Sequence, residues 1–365
     1  MDADTLIREW EIITGLLPAQ WQESARSMGA LQRARNVRDA SSLLLLVLLH
    51  AAAGLSLRQA VARAHRIGLA SISDVALLKR MRGAGPWLHA LASSLFEGSP
   101  FRCAPGSGLG GRRIRVVDAT TVTEPGSTGT DWRVHYVLQL PSLECDFFEV
   151  TDPSGGETYK RLPVRPGDVI LGDRGYCHRE GVAHVVDSGG DAIVRLNANS
   201  FPLVGPDGAA IDLLPLLRTL TGHEPGEWTV GFTLDKRTYS ARLCGVRKST
   251  AAAQQARDRV RRNARKEKKT PRPETLELAE YIFVLTTLPP DVTAPDVLEL
   301  YRARWQVELA FKRLKSLLGV GHVPKYDPES ARAWIYAKLL AVLLIERLSQ
   351  EARFFSPWGF ALYRP

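Results

Sequence analysis

The spacing of hydrophobic and polar positions changes character three times along this chain. As far as about residue 105, apolar residues recur at helical intervals. Residues 41–53 form a nearly unbroken apolar run closed by Gly54, which predicts a buried helix. Leu57, Ala60, Val61 and Ala64 place a second helix over 56–66, followed by a turn at Gly68. Ser71 to Asp74 has the form of a capping box, so a third, short helix is expected over 75–82, stopped by Gly83. That helix carries Lys79, Arg80 and Arg82. Two short helices about a glycine turn, the second basic, fit a helix-turn-helix DNA reader and a plain helical bundle equally well.

Beyond a glycine-rich stretch at 106–111, the period drops to two. Residues 114–117, 132–140 and 147–150 predict an antiparallel meander. A strand over 168–172, a helix over 179–186 and a strand over 192–196 follow, the order of an α/β domain with a mixed sheet. From about residue 198 polar loops separate short strands at 227–233 and 240–246. The stretch 255–273 then gathers Arg257, Arg259, Arg261, Arg262, Arg265, Lys266, Lys268, Lys269 and Arg272 on an expected exposed helix. Such a run is either a solvated face or a face for a phosphate backbone. A strand over 281–286 and a helix over 301–315 complete the pattern. Taken with the family resemblance stated below, which implies an insertion, the division expected is an all-helical N-terminal DNA-binding domain over 1–105, an α/β domain assembled from 112–200 and 276–350, and a β-rich insertion with the basic segment over 201–275.

Read as one helix at about 100° per residue, 301–315 puts Arg304, Glu308, Lys312 and Lys315 on one narrow stripe. Leu300, Val307, Leu314 and Leu318 gather beside it as a packing face. A lone acid among bases suits a metal ion flanked by phosphate, although Arg304 and Glu308 at i, i+4 also fit an ordinary surface ion pair. Two more acids continue apolar strands. Alternation puts Asp118 on the face of Ile114 and Val116, and Asp173 on the face of Val169 and Leu171. A carboxylate there is costly to desolvate without a cation. Gly172 leaves room for close approach and Gly175 for a tight turn. Asp118, Asp173 and Glu308 are therefore candidate hard-oxygen ligands of Mg²⁺, and two such ions serve displacement at phosphorus.

Composition agrees with an anionic partner. The 365 residues are 45% hydrophobic, enough for two or three domains, and the formal charge is +9. A basic balance favours nucleic acid over a membrane surface. Cys103, Cys145, Cys177 and Cys244 form no Cys-x-x-Cys pair, which argues against a zinc ribbon or disulfide framework and for a reducing compartment. Cys177 beside His178 is either a metal-ligand pair or a buried thiol. Asp2, Asp4, Arg8 and Glu9 stand where a secretory leader is basic and then apolar. The apolar runs at 43–55 and 334–348 are interrupted by His50, and by Lys338 and Glu346, so no membrane span is expected. The expected location is the cytoplasm.

Tyr301, Arg304, Glu308 and Lys315 match in every spacing the C-terminal signature Tyr, two residues, Arg, three, Glu, six, Lys. With Asp118 before Thr120 and Thr121, and with Asp173 opening Asp173-Arg174-Gly175-Tyr176, the chain from 113 to 358 resembles DDE transposases of the bacterial insertion-sequence-4 family. The resemblance implies an RNase H-like catalytic domain interrupted by a β-rich insertion between the second Asp and the Glu. It implies that Asp118, Asp173 and Glu308 bind two Mg²⁺ or Mn²⁺ ions and do the catalysis. Tyr301, Arg304 and Lys315 would contact DNA phosphates, with Arg174 and Lys312 as further contacts. The partners implied are double-stranded DNA (element ends and target) and a second copy of the chain, a homodimer in the DNA complex associated with the bacterial nucleoid. The chemistry implied is cutting at the element's ends, a hairpin route, and joining to target DNA. A junction nuclease without strand transfer, and a non-catalytic DNA-binding derivative, are the rival readings. Some members stack a flipped base on an aromatic of the strand before the last helix, a position here taken by Tyr281 or Phe283. Family members usually continue past the position of Pro365, so a shortened C-terminus is expected.

Overall fold

The computed structural model describes residues 3–96, 109–325 and 327–353. Cys103, residues 106–108 of the glycine-rich stretch and everything from 354 onward lie outside them, as do the side chains of Leu314 and Leu318. Five helices come first: α1 (Ala3–Gly15), α2 (Trp21–Ser27), α3 (Ala40–Ala51), α4 (Leu57–Arg66) and α5 (Asp74–Ser94). Strands β1 (Arg113–Val122), β2 (Trp132–Leu140), β3 (Cys145–Thr151) and β4 (Asp168–Gly172) lead to α6 (Arg179–Asp187) and β5 (Asp191–Arg195). Then come α7 (Leu213–Arg218), β6 (Gly226–Leu234), β7 (Arg237–Arg247), α8 (Thr250–Lys266), α9 (Pro273–Leu278) and β8 (Tyr281–Thr286). Helices α10 (Ala294–Arg302), α11 (Trp305–Leu318) and α12 (Pro328–Arg353) follow.

All eight strands form one mixed sheet in the order β3-β2-β1-β4-β5-β8-β7-β6. The first three are antiparallel, β1, β4 and β5 run parallel, and β8, β7 and β6 return antiparallel. The expected insertion thus shares the backbone hydrogen bonding of the main sheet, through β7 on β8. One sheet face packs on α10, α11, α12 and the N-terminal helices in a single core that runs from Leu43, Leu77 and Trp87 to Val116, Leu171 and Leu339. The opposite face packs Val117, Ile170 and Val194 against Val182 and Val185 of α6, and Leu217 of α7. The N-terminal helices are therefore docked on the sheet layer. Helix α12 lies against α5 and α3, the Arg347 Nε donates to the Leu95 carbonyl at 2.8 Å, and Arg82 pairs with Asp327 at 2.8 Å.

Three local expectations are corrected. The capping box belongs to Ser56 and Gln59 at the start of α4, while α5 is capped by Ser73 alone. Helix α5 does not stop at Gly83 but runs on through Gly85 and Pro86. A Cβ on Gly83 would meet the Gly29 carbonyl at 3.4 Å, so this glycine allows close packing instead of ending a helix. The Arg80 guanidinium donates to the Arg33 carbonyl, and Arg82 pairs with Asp327. Finally, 301–315 is not one helix. Around Ala303 and Arg304 the bonds shorten to i→i−3, with Arg304 N–H on the Tyr301 carbonyl and Val307 N–H on the Arg304 carbonyl. The break lets α10 follow β5, β7 and β8 while α11 turns onto β1. Among the described residues, no helix is long and apolar enough to cross a membrane.

Candidate active site

Strand register brings the first two acids together. Val116 of β1 pairs with Leu171 of β4 in the parallel ladder, and Asp118 and Asp173 each stand two positions further on. Neighbouring strands are about 4.8 Å apart, so both carboxylates rise side by side from the face that carries α11. Ile193 of β5 pairs with Leu171 in turn, and two positions beyond it stands Arg195. Asp118, within β1, thus stands in a row with Asp173 and Arg195 at the ends of β4 and β5. Asp173 also caps the short turn Arg174–Tyr176, accepting from the Gly175 N–H at 2.7 Å.

Glu308 lies in the first turn of α11. Arg304, in the joint before it, reaches both acids: one guanidinium nitrogen is 3.7 Å from the Asp118 Oδ2, and another bonds the Glu308 carboxylate. The guanidinium thereby occupies the interval between the first and third acids. Asp118 is largely enclosed, at 18% side-chain exposure, whereas Glu308 is 58% exposed. Burial pushes the Asp118 carboxyl up to about 6, and Asp173 and Glu157 push the same way against Arg304. Glu157, from the loop after β3, is a fourth acid. Burial and then Asp173 raise its carboxyl above the ordinary range.

Among the described residues, Arg304 faces Asp118 and Glu308, and Arg133 faces Glu157, so the four acids outnumber the guanidinium groups beside them, an environment that suits a divalent cation. Among the described residues, no three Asp, Glu, His or Cys side chains are close enough to share one ion as they stand. Between Asp118 and Glu308 stands the Arg304 guanidinium.

Beside the acids opens a cleft of about 730 Å³. Arg174, Arg195, Lys248, Arg259, Arg302 and Arg304 line it, together with Tyr301 and Trp305. The Lys248 ammonium is brought down to about 8, first by burial and then by Arg195, Arg174 and Arg259. Like charges held this close call for an anion. The cleft gathers Arg174, Tyr301 and Arg304 of the expected phosphate contacts. Lys312 and Lys315 are exposed one and two turns along α11, outside it.

Sequence reasoning gave no role to Glu157, Arg195, Lys248 or Trp305. Arg195 carried the same signal as the two aspartates, a charge continuing the face of Ile193. Glu157 had no such signal, because an irregular loop brings it in. Tyr281 and Phe283 are buried, each 4% exposed, whereas Trp305 is 49% exposed at the cleft. Cys177 accepts from the Asn197 N–H, and burial raises its thiol to about 11, the buried-thiol alternative.

The family described as Transposase DDE domain matches residues 152–344. The InsL protein of insertion sequence element IS186A from Escherichia coli (strain K12) is 36% identical over 347 residues, covering 93% of each chain. The transposase for insertion sequence element IS421 of Escherichia coli is 36% identical over 348 residues, again 93% of each. The transposase for insertion sequence element IS231F of Bacillus thuringiensis subsp. israelensis is 29% identical over 271 residues, 64% of this chain and 56% of the relative. Among solved structures, the piggyBac transposase synaptic complex with hairpin DNA aligns at a TM-score of 0.48 and 9% identity, covering 95% of this chain and 75% of that one. With a matching domain over half its length and relatives 36% identical end to end, this chain belongs to the DDE transposases of the insertion-sequence-4 family, metal-dependent enzymes that cleave DNA and transfer the strand to a new site.

Proposed function

We propose that this transposase cuts at the ends of its own insertion element and joins them to target DNA at an RNase H-like centre made by Asp118, Asp173 and Glu308. The observation that carries this reading is the register that sets Asp118 beside Asp173, with Glu308 linked to Asp118 through Arg304. The strand order β3-β2-β1-β4-β5 with β1, β4 and β5 parallel supports the RNase H-like description. In the division that goes with it, residues 1–105 form the DNA-binding helical domain and 201–275 the insertion.

The three acids would hold two Mg²⁺ or Mn²⁺ ions. Bound there, such ions supply an activated water or hydroxyl nucleophile and stabilise the leaving oxygen of an in-line displacement. Arg304 neutralises Asp118 and Glu308 in the DNA-free protein, and its planar fork suits a backbone phosphate once DNA lies in the cleft. Arg174, Arg195 and Lys248 fix the phosphates on the cleft floor, and Tyr301 packs beside Arg304. Lys312 and Lys315 extend the contact along α11. Trp305 offers an exposed aromatic face to a displaced base. Water first frees a 3′ hydroxyl at the element's end. That hydroxyl then attacks the opposite strand to close a hairpin, water reopens it, and the end joins target DNA. Two ends must be held together, so the DNA complex is a homodimer.

The test is cleavage of DNA carrying the element's ends. Asp118→Asn, Asp173→Asn and Glu308→Gln should each reduce cutting to below roughly a thousandth of wild type, with end binding retained. Wild-type cutting by any of the three overturns the assignment.

A further inference from the structure

Glu157 has no part in the Tyr-Arg-Glu-Lys signature, yet it meets Asp173 over Gly175. A Cβ on Gly175 would overlap the Glu157 Oε2 and stand 3.0 Å from the Asp173 Oδ1. The Glu157 carboxylate thus packs against the Gly175 backbone in the space a side chain would take, beside the Asp173 carboxylate that caps the same turn. Among the described residues, two buried polar atoms near them have no hydrogen-bond partner, the Tyr176 hydroxyl and the Arg133 Nε. Tyr176 is 0% exposed, and its hydroxyl lies in the field of Asp118, Glu157 and Asp173. Water can satisfy a buried hydroxyl against an acid pair, and a hard cation, which takes few carboxylates and several waters, can hold such water between the carboxylates. Glu308 is not needed for this arrangement, because Arg304 holds its carboxylate.

We propose that Glu157 and Asp173 form a divalent-cation site that fills before DNA binds and independently of Glu308. The inference rests on the metal-dependent reading above and adds a fourth carboxylate to it. Glu308 then completes the centre only when a DNA phosphate draws Arg304 away.

The experiment titrates Mn²⁺ into the full-length, metal-free protein without DNA and reads free Mn²⁺ by electron paramagnetic resonance. Wild type and Glu308→Gln should each bind one ion per chain with similar affinity. Glu157→Gln should weaken that binding at least tenfold, and so should Gly175→Ala, whose methyl displaces the Glu157 carboxylate. Circular dichroism melting confirms that each variant is folded, and Gly175→Ala decides the matter if Glu157→Gln is not. Wild-type affinity in Glu157→Gln overturns the proposal. So does an equal loss in Glu308→Gln, or no binding by wild type. A protein that cuts element ends while Glu157→Gln binds Mn²⁺ normally leaves the transposase reading intact and removes this site alone. Binding that divides as expected in a chain that never cuts DNA does the reverse.

Discussion

Asp118 carries opposing demands. Its place on an apolar strand face was legible from alternation with Ile114 and Val116, and that same place makes its charge costly. With its carboxyl raised from 3.8 to about 6, the folded protein keeps a proton that the unfolded chain has released. Folding stability from this group therefore falls as pH rises from about 4 to about 6 and stays lower above that. Asp118→Asn removes the penalty. In chelator, urea unfolding should show the variant more stable than wild type by roughly 1–3 kcal/mol at neutral pH, with the gap closing near pH 4. The same gap at both pH values would contradict the burial argument. Glu157 was not legible at all, since no periodicity governs a loop, and its contact with Asp173 exists only through the fold.

Among the elements, β1 is held by a buried ionic lattice. Arg115, 1% exposed, reaches across β2 to both carboxylate oxygens of Asp146 at 2.8 and 2.9 Å, and touches Asp168 of β4 at 3.2 Å. Arg113 supports it with two 2.8 Å bonds to Asp168. Arg115→Ala would leave Asp146 buried beside only the distant Arg113 nitrogen at 3.7 Å. The expected loss is about 3 kcal/mol, read from the urea midpoint, with the register of Asp118 and Asp173 disturbed. The strands themselves were readable from their period of two. The joint between α10 and α11 was not, because no glycine or proline marks it: two helices leaning on different strands impose it. The single-helix stripe therefore holds only from Glu308 onward, and Arg304 reaches Asp118 because the chain turns there.

For the whole molecule, the decisive feature is a cationic cleft beside an acidic row, built from segments far apart in sequence. Arg174 and Arg195 come from strand ends, Lys248 and Arg259 from around α8, Tyr301 from the end of α10 and Arg304 from the joint after it. Binding of end DNA should depend steeply on salt. Arg195→Ala and Lys248→Ala should each lower the slope of log affinity against log salt by about 0.9, additively and without changing end preference. An unchanged slope in the double variant would remove the cleft from the DNA path. The N-terminal helices share one core with the sheet, an arrangement their composition did not announce, because a helix's apolar stripe does not name the surface that covers it.

Short-range order was written in the chain itself. Alternation placed all eight strands and helical spacing about half of the helices, and both singled out Asp118, Asp173 and Glu308 as candidates for phosphoryl-transfer chemistry, because these signals depend on neighbours a few positions away. Tertiary structure alone decided that Arg304 stands between Asp118 and Glu308, that Glu157 joins Asp173, and that six distant cations share one cleft. Those arrangements depend on strand register and on which faces compete for the same core, quantities that no local period encodes.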